Sequence, residues 1–190
     1  MSSRYYYLIA SLPALVFSQP AAMSRAGFIA ECEQQLVGDD LAEVTALLDA
    51  RLDDVQSDFG RAWLHADRQL RNAVVRARAL RLGVDEKKFL QSHEGFRVDA
   101  EAAVSDAFSR ANPLERELAL DRYRWNLADE LSAGDAFALP ALLAYAVKLA
   151  LNEHWRALTP EIGRERFEDL VEQVGVSAQE VSAWSGLSQV

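Results

Sequence analysis

The sequence predicts an all-α fold, a multi-helix bundle around a buried central helix at about residues 140–158. Three observations predict it. Apolar residues recur at three- and four-residue spacing through most of the 190 residues. Capping residues, first-turn prolines and terminal glycines punctuate that pattern. The segment PALLAYAVKLALNEHW is apolar on nearly every side, with only Lys148 interrupting before Asn152, so its helix has to be covered all round.

The opening, MSSRYYYLIASLPALVFSQPAA, places one arginine before an apolar run, as a bacterial export signal does. Three adjacent tyrosines, Tyr5, Tyr6 and Tyr7, and Pro13 make a poor export core, and the run is too short to span a bilayer. Strand formers from Tyr5 to Leu8 make an extended segment compete with a short first helix, and Pro13 breaks either one. The tyrosine rings offer large apolar area for packing.

After Pro20, Ser24 caps a helix carrying Phe28, Ile29, Cys32 and Leu36, which Gly38 ends. Asp40 with Glu43 forms an Asx version of the capping box, opening a helix through Leu41, Val44, Leu47, Leu48, Leu52 and Val55. A third and longest helix runs from about Ser57 to Leu82, with Phe59, Trp63, Leu70, Val74, Ala77 and Leu80 on its apolar face and Gly83 stopping it. Acids dominate the second of these, seven against Arg51, and six arginines face Asp67 alone in the third, Arg61 to Arg81. The arginine helix is either a docking surface or, in the stronger reading, the antiparallel counter-charge of the acidic helix.

Periodicity weakens between Val84 and Val98, around His93 and Gly95, which predicts a mobile connection. A helix at about Asp99–Arg110 turns Ala103, Val104, Ala107 and Phe108 inward. Asn112 as cap and Pro113 at the first position open the next, with Glu115 and Glu117 in its positively polarised first turn; it ends about Ser132, before Gly134, and forms a hairpin with the central helix. Thr159 and Pro160 open a helix with Ile162, Phe167, Leu170, Val171 and Val174, closed by Gly175. Ser177 with Glu180 caps a last short helix holding Val181 and Trp184. All this reads as a single helical domain, 1–190, with a subdivision into 1–83 and 97–190 as the alternative.

Half the residues are hydrophobic, enough for a real core, and the net charge of −9 disfavours nucleic acid as a general partner. The single cysteine, Cys32, fits a reduced cytoplasmic setting and a small core residue better than a nucleophile. No glycine-rich phosphate loop occurs, and none of His65, His93 and His154 follows a glutamate at the spacing of a di-iron bundle site. Neither cofactor nor metal is expected. Lys148 needs a carboxylate or a path to water, and Glu117, Asp121 and Asp129 are available. In LDRYRWNLADEL, Asp121, Arg122, Arg124, Asp129 and Glu130 surround Trp125, a pattern suited to a packing seam or a protein interface. Trp155, beside His154 at the end of the central helix, is a further structural or interface candidate.

NPLERELALDRYRWNLADEL, FALPALLAYAVKLALNEHWRAL and GRERFEDLVEQV, with the opening YYYLIASLP, resemble a family of uncharacterised proteins encoded beside bacterial V/A-type ATP synthase genes. The resemblance covers nearly the whole chain. That family resembles a shortened form of the C-type subunit of V-type ATPases, the helical, non-catalytic piece that seats the rotating central stalk on the membrane ring. The resemblance implies a role in ion transport without bond chemistry, partners in the central stalk and membrane ring, and a cytoplasmic position peripheral to the inner membrane, touching it only through the complex. The rival expectation is a small helical enzyme or regulator using the Lys148 region or the arginine-rich helix.

Overall fold

The computed structural model describes residues 4–158, 163–164 and 166–171. Among these the fold is all-α: residues 4–158 hold seven α-helices and two 3₁₀ turns, with one isolated antiparallel bridge, Arg4 to Ala138. The chain divides into two compact units, Met1–Asn152 and Glu153–Val190.

The first unit begins with the competition anticipated at the tyrosines, resolved within two residues. Arg4 is extended, the Tyr5 N–H donates to the Phe137 carbonyl at 2.8 Å, and α1 (Tyr6–Ser11) starts immediately after. Helix α2 (Arg25–Gln35) is capped by Ser24, whose hydroxyl accepts from the Gly27 N–H at 3.2 Å, and it buries Phe28 and Cys32.

Helix α3 (Asp39–Leu48) corrects the expected capping box. Its N-cap is Gly38, in the left-handed region at φ 63°, so no side chain caps it and the helix starts before Asp40 could do so. The Asp40 carboxylate instead accepts the Tyr5 hydroxyl. Glu43 serves the start of the next helix: it accepts from the N–H groups of Gln56 and Ser57 at 2.9 and 3.0 Å, and from the Ser57 hydroxyl at 2.6 Å. Helix α3 also stops early. The Arg51 N–H closes onto the Ala46 carbonyl at 2.8 Å with Ala50 at φ 53°, and a 3₁₀ turn takes Leu52–Asp54.

Helix α4 (Asp58–Leu82) has Ser57 as its cap and left-handed Gly83 as its stop. It passes through two hydrophobic cores. The larger gathers Phe59 and Trp63 of α4 with Leu8, Phe28, Cys32, Val44 and Leu47. The smaller gathers Leu70, Ala73 and Val74 with α5 (Val98–Ser109), through Ala100, Val104 and Ala107. Contrary to the predicted face, Leu80 is 86% exposed and Ala79 turns inward. The main partners of α4 are α5 and α6 (Pro113–Leu131) rather than α3. Its arginines divide their partners: Arg61 and Arg68 meet Asp58 and Asp53 of the acidic stretch, Arg71 meets Asp67 of the same helix, and Arg76 and Arg78 meet Glu101 and Glu117 of α5 and α6.

The 84–98 connection is fastened rather than loose. Gln69 donates to the Arg97 carbonyl and accepts from its N–H, both at 2.8 Å. Asn72 does the same for Gln91, at 2.7 and 2.9 Å. Both amides are buried, and each satisfies backbone groups of a segment whose only regular structure is the 3₁₀ turn Glu86–Lys88 before α5.

The Asn112 side chain caps α6 at Leu114, with Pro113 in the first turn, as the sequence predicts. Helix α7 (Leu139–Arg156) has no exposed residue between Ala141 and Glu153, and Leu142, Leu143, Ala146 and Leu149 are sealed from solvent in the larger core. Burying each leucine contributes roughly 1.5–3 kcal/mol relative to leaving it in water.

In the second unit, residues 163–164 and 166–171 are helical and exposed. The expected opening at Thr159 and Pro160, with Ile162, the close at Val174 and Gly175, and the last helix with Val181 and Trp184 lie outside the described residues.

Candidate functional site: the Trp125–Lys148 seam

Four-residue spacing sets Asp121, Trp125 and Asp129 on one stripe of α6, because residues four apart on a helix lie one above the other. Trp125 is buried at the centre. Its ring meets Phe17 edge-on, with centroids 5.5 Å apart and planes at 76°. The Lys148 ammonium from α7 stands over the Trp125 ring, 4.9 Å from its centroid, and pairs with the Asp129 carboxylate. The Arg122 guanidinium covers the far ring, 4.4 Å from the Phe17 centroid. The seam thus runs cation, ring, ring, cation, anion, and each contact is one that its partner's charge distribution favours.

Helix α7 also clamps the loop that carries Phe17. Buried Asn152 accepts from the Ser18 N–H and donates to the Val16 carbonyl, both at 3.0 Å. The Tyr145 hydroxyl donates to the Pro13 carbonyl at 3.1 Å, and burial pushes its pKa up. A cleft of about 260 Å³ lies between this loop and the helices, lined by Leu12, Pro13, Ser132 and Tyr145 together with Asp129 and Lys148. Its ionic and phenolic groups are engaged with one another or with the backbone.

Deeper, Arg124 joins α6 to α4. Its Nε donates to Asp67 at 2.9 Å and a terminal nitrogen donates to Asp121 at 2.7 Å, while Arg71 Nε stands 2.6 Å from the second Asp67 oxygen. Two cations balance two buried carboxylates. Burial works against the charged Arg124, but Asp67 and Asp121 outweigh it and hold the guanidinium above its ordinary pKa. Asp121 therefore belongs to Arg124, and Asp129 is the carboxylate that meets Lys148.

At the edge of this region Arg97 binds Asp99 at 2.9 Å and both oxygens of Glu130 at 2.8 and 2.9 Å, and the Tyr123 hydroxyl donates to Asp99 at 3.0 Å. The hydrogen bonds that Arg97 donates to Asp99 and Glu130 raise its pKa. Burial opposes the Asp99 carboxylate, yet Arg97 and Tyr123 together hold its pKa below the usual value.

The remaining candidates are dispersed. Tyr5 is buried against the Phe137 backbone and Asp40, Tyr6 packs its ring on Phe137 at 4.9 Å, and Tyr7 is 88% exposed. Trp155 belongs to the second unit, edge-on to His154 at 5.8 Å. Phe17, Gln69, Asn72 and the Arg97 cluster were not anticipated. Gln69 and Asn72 had a usable signal, since both are polar residues beside the apolar stripe of α4 that holds Leu70, Ala73 and Val74. Phe17 had none, lying in a loop without periodicity. Among the described residues, no three His, Cys, Asp or Glu side chains converge as metal ligands do, and no helix is long and apolar enough to cross a membrane.

A family model described as protein of unknown function (DUF2764) matches residues 40–177. No curated protein and no solved structure matches the chain.

Proposed function

We propose that this chain, which belongs to the DUF2764 family of proteins of unknown function, is a non-catalytic helical component or assembly factor of a bacterial V/A-type ATP synthase. In this reading it is an adaptor between the central stalk and the membrane ring, like the C-type subunit of V-type ATPases, on the cytoplasmic side and touching the inner membrane only through the complex. The observation that carries the reading is where the resembling segments meet. The YYYLIASLP opening joins Phe137, at the edge of the FALPALLAYAVKLALNEHWRAL segment, and Trp125 of LDRYRWNLADEL lies under Lys148 of that same segment. Three of the four resembling segments thus meet in packing contacts of the kind that an adaptor whose work is mechanical has to preserve.

A part that transmits torque or holds its neighbours in place needs a stiff interior and charged outer faces, which set register and partner choice more than affinity. Buried ion pairs across α4 and α6, and the amide staples on α4, supply stiffness of that kind. The rival reading, an enzyme or regulator, draws on the cleft beside Lys148.

Affinity purification of tagged protein from its own cell, at low and high ionic strength, tests the proposal. The expected result is recovery of central-stalk or ring proteins at low salt and their loss at high salt, with impaired assembly or ion pumping in a deletion strain. Recovery of no ATPase component, together with normal assembly and pumping, overturns it in favour of the rival.

A further inference from the structure

We propose that the end of the first unit where α4, α5 and α6 converge docks an acidic amphipathic helix of a partner protein. The inference stands on its own geometry and does not rest on the ATPase reading. Two hollows meet there, one of about 250 Å³ between α4 and α6 and one of about 460 Å³ between α4 and α5, and Arg81 and Phe108 line both. The Phe108 ring is held between two guanidinium groups, Arg81 at 5.1 Å and Arg116 at 5.7 Å. Their hydrogen bonds go to backbone carbonyls, Arg81 to Phe108 at 2.7 Å and Arg116 to Arg110 at 2.7 Å. Among the described residues neither pairs with a carboxylate, although the chain carries nine more acids than bases. Both cations are therefore oriented, fixed and open to an incoming anion.

Large apolar side chains share this end of the bundle. Leu80 is 86% exposed and Leu82 75%, and Leu114, next to Pro113, is 54% exposed. The exposed leucines beside the arginines gain nothing from a phosphate backbone, which offers them no apolar surface to cover. A helix with leucines on one stripe and glutamates on its flanks satisfies both features, filling the hollows and pairing with Arg81 and Arg116.

The test uses the full chain and a labelled synthetic helical peptide with leucines on one face and glutamates beside them, read by fluorescence anisotropy. Saturable binding is expected. Affinity should fall at least tenfold when the glutamates are replaced by lysine, at least tenfold when the leucines are replaced by serine, and at least tenfold in the Arg81→Gln, Arg116→Gln double variant. Leu80→Ser should weaken binding several-fold with an unchanged melting temperature, which separates docking from folding. Absent binding overturns the proposal, as does undiminished affinity in the double variant. Equal binding of the serine peptide, or displacement by polyphosphate at equal charge, also overturns it, leaving a simple anion site.

Discussion

Gly60 leaves the space that Glu43 occupies: a Cβ added at Gly60 would overlap the Glu43 carboxylate and stand 2.7 Å from Cβ of Val55. Since Glu43 accepts from Gln56 and from both donors of Ser57, the first turn of α4 and the body of α3 are fitted around one carboxylate. Helix propensity alone favours Gly60→Ala by about 1 kcal/mol. The overlap should reverse that sign and cost about 1–3 kcal/mol, as overpacking does. Glu43→Ala should also destabilise, because it strands buried donors. Once the carboxylate is gone, alanine at Gly60 should cost less. Urea unfolding of both single variants and the double variant checks this, and strict additivity contradicts it.

The Arg124 network sits deeper and should be harsher. Asp67→Ala leaves Arg124 with Asp121 and takes away the carboxylate that Arg71 meets, and breaking a buried ion pair on one side costs about 3–5 kcal/mol. Replacing Asp67, Arg124 and Asp121 together by Leu, Met and Leu removes the three buried charges at once and leaves Arg71, whose side chain is 53% exposed, to water, so it should recover most of that loss. Denaturant midpoints decide: a triple variant no more stable than Asp67→Ala contradicts the account.

Local grammar was legible, and connections between distant elements were not. Asn112 and Pro113 announce α6 because a cap and its helix are neighbours in sequence, and the all-apolar run around Leu143 announces burial for the same kind of reason. Asp40 and Glu43 have the spacing of a capping box, but Glu43 works on Gln56 and Ser57, partners made available only by the fold. Leu80 was misplaced because α4 crosses from one core to another, so a single stripe extrapolated along 25 residues drifts off the buried side. The 84–98 connection looked loose because its order comes from Gln69 and Asn72 on another element. Lys148 lay between these cases: composition required a partner for it, and packing selected Asp129.

A buried thiol and a half-buried phenol should set the alkaline limit of stability. Burial, reinforced by Glu31, pushes the Cys32 thiol up to about 12, and burial with Asp99 pushes Tyr123 to about 12 against the opposing effect of Arg97. Each raised pKa means that the folded state keeps a proton the unfolded state gives up. Their stabilising contribution is therefore complete below the unfolded values, 9.0 for the thiol and 10.0 for the phenol, and is lost as pH rises toward about 12. Stability measured from pH 8 to 11 should fall, and fall less steeply in a Cys32→Ala, Tyr123→Phe variant. At pH 7.5 a thiol reagent should label Cys32 only as the protein unfolds, and fast labelling of the native protein contradicts its burial.

Lys148 and Asp129 should couple, but weakly. The Asp129 side chain is 59% exposed while that of Lys148 is 15% exposed, so the pair lies at the rim of the core and solvent screens it. The Lys148 ammonium also keeps its contact with the Trp125 ring when Asp129 is lost. Asp129→Asn should therefore cost no more than about 1 kcal/mol. Lys148→Met removes both contacts yet places an apolar chain of similar length among Leu12, Ala144 and Tyr145, so its cost should also stay near about 1 kcal/mol. The double variant should cost less than the sum of the singles, and the coupling should shrink in 1 M salt, where the Debye length falls to about 3 Å. Leu143→Asp provides the contrast on the same helix: it puts a charge with no partner at a fully buried position and should abolish folding. Guanidinium would screen the pair being measured, so urea unfolding at both salt concentrations is the measurement. Additive effects at low salt, or a coupling indifferent to salt, would show that Lys148 is held by the Trp125 ring and the aliphatic wall rather than by Asp129.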